Sequence, residues 1–325
     1  MKLSRAAICL AAFGVLGSSM AFADTLFNGV LFYTNFQGSG DNVNKVSYSY
    51  DQNTMTLTMG AHVGIAATPG ADGIIFDPAG NLLVGGQGNN QVYQVNPNNG
   101  TFTAASLPTN SYHLALDPSG TKFYTSTFEG PLVTMPLPFG GSGVATTVSG
   151  GDGGVTQVAF ASNGTTYYVD GNPNCCGNVG TINLSTGVTT RLFTGVAPAH
   201  GIINDPFTNL ITLFGGGWVG TVDPTSNTLK TDFISVANFD QGATDGFGHA
   251  LVAGGNGITF VDYSTSHDIT HPDKVIFVGG FDNIDDVAPL AGAGSNPNTV
   301  PEPASLFLLG TALLGLGLVG KRVIQ

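Results

Sequence analysis

A unit of four short strands that returns every forty-odd residues constrains this chain more than any other feature. Its clearest copy runs from Gly73 to Pro97, where Ile74-Ile75-Phe76, Leu82-Leu83-Val84 and Val92 to Val95 are short apolar or alternating runs broken by Asp-Pro, Gly-Asn and Asn-Pro. In Asp77-Pro78-Ala79-Gly80-Asn81 the proline fixes φ at the second position of a turn, and the aspartate can accept a local backbone hydrogen bond. A fourth alternation, Thr101-Phe102-Thr103-Ala104, follows Asn98-Asn99-Gly100. Four strands on tight turns make a small antiparallel sheet that cannot bury both of its faces alone, so each copy needs neighbours.

First strands of successive copies start near Gly73, Tyr112, Val155, His200, Gly242 and Ile284, with spacings of 39, 43, 45, 42 and 42 residues. The wording persists through Leu114-Ala115-Leu116-Asp117-Pro118, Val158-Ala159-Phe160-Ala161-Ser162-Asn163-Gly164 and Ile202-Ile203-Asn204-Asp205-Pro206. It degrades at Asp245-Gly246-Phe247-Gly248-His249. Ile284 to Leu290 reads as a first strand with nothing after it, whereas Val30 to Thr34 reads as a second strand with nothing before it, followed by Val43 to Tyr50 and Thr54 to Met59. Joining these ends completes one more unit. The expectation is an all-β fold, a six-bladed β-propeller over residues 24–290 closed by N- and C-terminal strands. Tandem β-sandwiches are the alternative, but they leave the period and the complementary half-copies unexplained.

Both ends of the chain speak to destination. Residues 1–23 carry Lys2 and Arg5, an apolar run and Ala21-Phe22-Ala23, the pattern of a secretory signal peptide with cleavage before Asp24. Between Asp24 and Val300, 5 Lys and Arg face 20 Asp and Glu, a formal charge of −15 that argues against nucleic acid and anionic membranes as partners. Cys175 and Cys176 are the only cysteines in that span, so no disulfide framework holds the fold; the pair reads as a local clip or two free thiols. Residues 291–299 form a Gly/Asn/Pro linker. Residues 300–325 then bring Pro301-Glu302-Pro303, an apolar run from Ala304 to Gly320 long enough to span a bilayer as one helix, and Lys321-Arg322.

This tripartite end resembles the PEP-CTERM sorting signal. The resemblance implies recognition by an exosortase, transient anchoring in the inner membrane, and delivery to the periplasm, cell surface or extracellular matrix. It further implies association with exopolysaccharide or biofilm, or with another matrix protein.

Over residues 25–290, the ring of Asp-Pro-x-Gly turns resembles the NHL-repeat, gluconolactonase-like and streptogramin-lyase-like propellers. In a propeller the first strand of each blade lines the channel, so its starting residues converge on the axis: Asp72, Tyr112-His113, Thr156-Gln157, His200, Asp240-Gln241 and Asp285-Asp286. We take Asp72, His113, Gln157, His200, Asp240 and Asp285 as channel-lining candidates. Among them Asp72, His113, His200 and Asp285 are candidates for holding a divalent cation, Ca²⁺ by their oxygens or a transition metal by their imidazoles. A water-filled channel is polar in any case, and neither the gluconolactonase nor the lyase motif matches residue by residue, so no catalytic residue is assigned. His62, His249, His267 and His271 fall in turns or outer strands, where solvated or turn-capping histidines are expected, and Trp218 is read as core in preference to a platform for stacking on sugar. Two readings follow: an exported binding or structural module, or a metal-dependent propeller hydrolase, lactonase or lyase.

Overall fold

The computed structural model describes residues 26–36, 40–128, 130–171, 177–196, 198–235, 237 and 239–288. The signal-peptide reading, the Cys175-Cys176 pair, the linker and the sorting helix with Pro301, Glu302, Pro303, Lys321 and Arg322 lie outside them. Among the described residues the fold is all-β, and no helix is long and apolar enough to cross a membrane.

Four sheets repeat one plan. Ala71–Phe76, Leu82–Gly86, Gln91–Val95 and Phe102–Ser106 form the first, each strand antiparallel to the next. Leu114–Leu116, Lys122–Thr125, Leu132–Pro136 and Val144–Thr146 form the second. In the third, Gln157–Phe160, Thr166–Asp170, Gly177–Asn183 and Val188–Val196 are extended by the short parallel strand Ser149–Gly150. Gly201–Asn204, Ile211–Gly215, Trp218–Asp223 and Thr228–Phe233 make the fourth. The turn mechanism recurs at the end of the first strands: the Asp77 carboxylate accepts from the backbone N–H of Ala79 (2.8 Å) and Asn81 (2.9 Å), and Gly80 takes φ 83°. Asp117, Asp205 and Asp245 hold their turns through the N–H of Ser119, Phe207 and Phe247 at 3.0, 3.1 and 2.8 Å.

The remaining described strands join one seven-stranded sheet, in the order Gly242–Thr244, His249–Asp262, Lys274–Val287, Leu26–Asn35, Val43–Asp51 and Thr56–Met59, with Val63–Ala66 also on Val43–Asp51. Repeat spacing predicts separate strands here, yet His249–Asp262 and Lys274–Val287 are continuous. Glycine explains the difference. Backbone N of Tyr263 bonds to O of Gly248 at 2.8 Å, so the first of these strands folds back through Gly254-Gly255-Asn256 without leaving extended pairing, and its register shifts between Gly255 and Gly257. The second bends at Gly280, where φ is 95°, before its end pairs Val287 with Tyr33 and Ile284 with Asn35. N- and C-terminal strands therefore close on each other.

Innermost strands touch in cyclic order: Ala71–Phe76 meets Leu114–Leu116, then Gln157–Phe160, Gly201–Asn204, Gly242–Thr244 and the end of Lys274–Val287, which returns to Ala71–Phe76. This is a propeller-like ring. Apolar clusters fill the seams between adjacent sheets, such as Val84 and Tyr93 with Val43 and Ala66, or Val169 and Val179 with Leu213 and Trp218. Trp218 is core, buried at a seam. Close approach at the axis demands glycine at residue 73, whose N–H bonds to Tyr112 O at 2.8 Å and where a Cβ would collide with that oxygen.

Candidate functional site

At the end of the channel where the first strands begin, the ring gathers four aspartates and two histidines. Asp72 comes from the first sheet, His113 from the residue before Leu114–Leu116, His200 from just before Gly201–Asn204, and Asp240 from before Gly242–Thr244. The C-terminal strand supplies Asp285 and Asp286. His113 Nδ1 lies 3.0 Å from Asp286 Oδ2, and its Nε2 lies 3.8 Å from Asp240 Oδ1. His200 Nδ1 lies 3.0 Å from the same Asp240 oxygen. Asp72, His113 and Asp286 are buried, whereas His200 and Asp240 keep 20% and 26% of their side-chain surface exposed and form the accessible rim.

Below this layer two glutamines close the floor. Gln157 donates to Leu114 O (3.1 Å) and accepts from Ile202 N (2.7 Å), tying three innermost strands. With the Gln241 amide oriented to satisfy both of its ends, its nitrogen donates to Asp286 Oδ2 at 2.6 Å and its oxygen accepts from Gln157 Nε2 at 2.5 Å. Thr34, on the N-terminal strand, donates to Asp72 O (2.6 Å) and accepts from Asp286 N (3.2 Å), so the closing seam itself positions two of the aspartates. Phe128 packs over both imidazoles, with ring centroids 4.9 Å from His200 and 6.1 Å from His113.

So many acids in so little water change one another's protonation. Burial, reinforced by the Asp286 charge, lifts Asp72 well above the usual carboxylate range; burial and the charges of Asp72 and Asp240 do the same to Asp285. Asp286 is raised by burial in spite of His113. Burial opposes the charge on Asp240, yet the hydrogen bond from His200 and the positive field of His113 outweigh it and hold that carboxyl low. Burial also opposes the His113 charge, but the Asp286 and Asp240 carboxylates win and push the imidazole up to about 10. Asp285 interacts with both Asp72 and Asp240, and the mutual repulsion of these carboxylates favours keeping protons among them.

All six channel-lining candidates, Asp72, His113, Gln157, His200, Asp240 and Asp285, surround this one space. The tightest donor set differs from the expected quartet. Atoms of Asp72, His113 and Asp286 lie within 4.8 Å of one another, so Asp286 stands where Asp285 was expected and His200 sits at the rim. His113 Nε2 is buried with no hydrogen-bond partner, a lone pair or proton facing the cluster that a ligand would satisfy. Sequence reasoning did not find Thr34 or Phe128, since neither stands at a first-strand start. Of the two expectations for His249, the solvated one fails: it is fully buried between Phe27 and Phe260, bonded to Asp245 of its own turn at 2.5 Å (Oδ2) and 3.7 Å from Asp262 Oδ1.

Ring and seam define a β-propeller, and solved structures share it. Over 83% of this chain and all of the matched chain, a nidogen/laminin complex superposes with TM-score 0.60 at 12% identity. A streptogramin B lyase gives 0.54 at 12% identity, over 82% of this chain and 92% of that one. PQQ-bound aldose sugar dehydrogenase from Streptomyces coelicolor gives 0.52 at 16% identity, over 73% and 93%. In fold, then, the chain is similar to the NHL and streptogramin-lyase-like propellers. Residues 299–322 match the PEP-CTERM protein-sorting motif, which implies exosortase-dependent export and transient membrane anchoring before sorting. Among curated proteins, none matches the sequence.

Proposed function

We propose that this chain is an exported six-bladed β-propeller that acts as a cation-dependent binding module of the cell envelope or extracellular matrix, with exopolysaccharide or a matrix protein as its ligand. The sixfold count treats the seven-stranded sheet as two blades, one ending at Gly279 and one beginning near Ile284 and continuing through Leu26–Asn35 and Val43–Asp51. The domain plan is a signal peptide over 1–23, the propeller over 24–290, a linker over 291–299 and the sorting signal with its transmembrane helix over 300–325.

One observation carries the cation: Asp72, His113 and Asp286 each offer a ligand atom within 4.8 Å of the others, inside a cluster of four acids and two imidazoles where His113 Nε2, 3.8 Å from Asp240 Oδ1, has no hydrogen-bond partner. Buried carboxylates are stable when paired or metal-bound. Two oxygens and an imidazole suit a transition-metal dication such as Mn²⁺ or Zn²⁺ better than Ca²⁺. Asp72, His113 and Asp286 would hold it, the dication taking the place of the proton that the carboxylates otherwise keep on His113, and Asp240 and His200 at the rim would meet the ligand. A bound dication supplies Lewis acidity and a coordination position for ligand hydroxyls.

Elemental analysis of the purified propeller, with titration calorimetry of the chelated protein against Mn²⁺, Zn²⁺ and Ca²⁺, tests the site. Micromolar or tighter binding at one site, weakened at least tenfold in His113→Ala, is expected. A metal-free protein that takes up no dication sinks the reading. Chelator-sensitive retention on immobilised exopolysaccharide is the companion assay.

A second reading, a metal-dependent hydrolase, lactonase or lyase, is favoured by His200. Its imidazole is partly exposed and held by Asp240 at 3.0 Å, the arrangement of a histidine acid or base that a substrate can reach. Turnover of lactone or ester substrates, lost by at least a hundredfold in His200→Ala with dication binding intact, would establish it over the binding reading.

A further inference from the structure

The channel has a second end with a different chemistry. Where the innermost strands run into their Asp-Pro turns, a cavity of about 620 Å³ opens on the face opposite the carboxylate mouth. That is the size range of sites for drug-sized ligands. The Gln157 and Gln241 amides form its floor and part it from Asp286.

The wall is one sequence position repeated around the ring. The last first-strand residue before the turn is Phe76, Leu116, Phe160, Asn204, Thr244 and, on the C-terminal strand, Val287; all six line the cavity. Four of them make an apolar arc. Asn204 and Thr244, from adjacent repeats, make a polar edge. Phe76, Leu116 and Phe160 are only half-buried, so the arc holds apolar surface against water in a concave site, where displacing that water is favourable. On the polar edge Asn204 Oδ1 is buried and has no hydrogen-bond partner, an acceptor whose desolvation nothing in the chain offsets.

Charge narrows the ligand further. The span from Asp24 to Val300, at a formal −15, repels anions. Asp117, the carboxylate at the cavity's edge, has its Oδ1 taken up by its own turn through Ser119 N at 3.0 Å, and the other lining residues are uncharged.

We propose that this turn-side cavity is a second ligand site, independent of the carboxylate mouth, for a neutral and mostly apolar ring compound that carries one hydrogen-bond donor. The ring stacks in the arc of Phe76, Leu116, Phe160 and Val287, and the donor, a hydroxyl or amide N–H, is received by Asn204 Oδ1. Nothing in this site requires a metal.

The test uses the full exported chain and two probes, 2-naphthol and its methyl ether 2-methoxynaphthalene, which keeps the ring and loses the donor, followed by calorimetry and by methyl NMR of Val287 and Ile203. One saturable site is expected, with 2-naphthol at least tenfold tighter, as one satisfied acceptor is worth. Asn204→Leu should abolish that preference by weakening 2-naphthol alone, and Phe160→Ala should weaken both probes. Equal affinity for the two probes in the unaltered protein overturns the proposal without any variant having to fold. So does the absence of saturable binding, methyl shifts confined to other regions, or a folded Asn204→Leu protein that still prefers the alcohol.

Discussion

Asp285 and Asp286 are neighbours in sequence but differ in environment, and the difference decides the chemistry of the mouth. Asp286 is fully buried against His113, while Asp285 is partly exposed between Asp72 and Asp240. Which of two adjacent strand residues faces inward depends on strand parity, and parity here is reset by register shifts at Gly255/Gly257 and at Tyr33/Asn35. Residue alternation carries no mark of those shifts, which is why the gathering of acids was legible and the aspartate set against His113 was not. His249 misled for another reason. Asp245-Gly246-Phe247-Gly248-His249 looks like a decayed turn, yet Asp245 still caps it and its second carboxylate oxygen draws the histidine inward. Replacing His249 by Ala leaves the buried Asp245 and Asp262 facing each other without it, and a loss of about 3–5 kcal/mol in denaturant unfolding is expected. The channel cluster also sets a pH dependence in chelator-treated protein. Folded His113 keeps its proton until about 10, so its contribution is complete below the unfolded value near 6.5 and disappears as pH rises through 10. Asp72, Asp285 and Asp286 are raised as well and act in the same direction above the ordinary 3.8; Asp240, held low, acts oppositely only in acid. The melting temperature should therefore fall from pH 6 to pH 10, and a rise over that range would contradict the assignment.

At the scale of the element, the repeat was readable because the same physics is spelled out each time. An aspartate caps its own turn, a glycine or asparagine takes positive φ behind it, and apolar runs on either side pair in register, as with Ile75 and Leu83. The innermost strand is also where packing is least forgiving. Gly73→Ala places a methyl against Tyr112 O at the contact of two sheets, and the strand must shift or lose the 2.8 Å bond from its N–H. A cost of about 1–3 kcal/mol is expected, measurable as a lowered urea midpoint with unchanged slope. The closing strand makes a sharper test. Truncation after residue 290 keeps every pairing of Lys274–Val287, whereas truncation before Ile284 removes the partners of Tyr33 and Asn35 and two of the four channel aspartates. The first protein should unfold in one cooperative transition; the second should lose that cooperativity in calorimetry.

Across the whole molecule, two unlike chambers share one axis, acidic where the first strands begin and apolar where they end. Glutamine amides stand between them. Because the chain carries so few cations, dication uptake at the mouth should raise the melting temperature well beyond what an equal ionic strength of sodium chloride achieves. The seam that joins N-terminus to C-terminus adds a mechanical property. The last described strand is an innermost one: it bears Asp285 and Asp286, and its exit at Ala288 is fastened by a bond from its N–H to Phe32 O at 2.9 Å. Any load borne by the residues that follow enters the fold there, on the strand that holds two of the channel's acids. Tension on the sorting tail is thus applied directly to the carboxylates of the mouth, and a dication that bridges Asp286 to Asp72 on the neighbouring sheet would act as a rivet. Pulling single molecules from the C-terminus should show a higher rupture force with Mn²⁺ than with chelator, and His113→Ala should erase that difference.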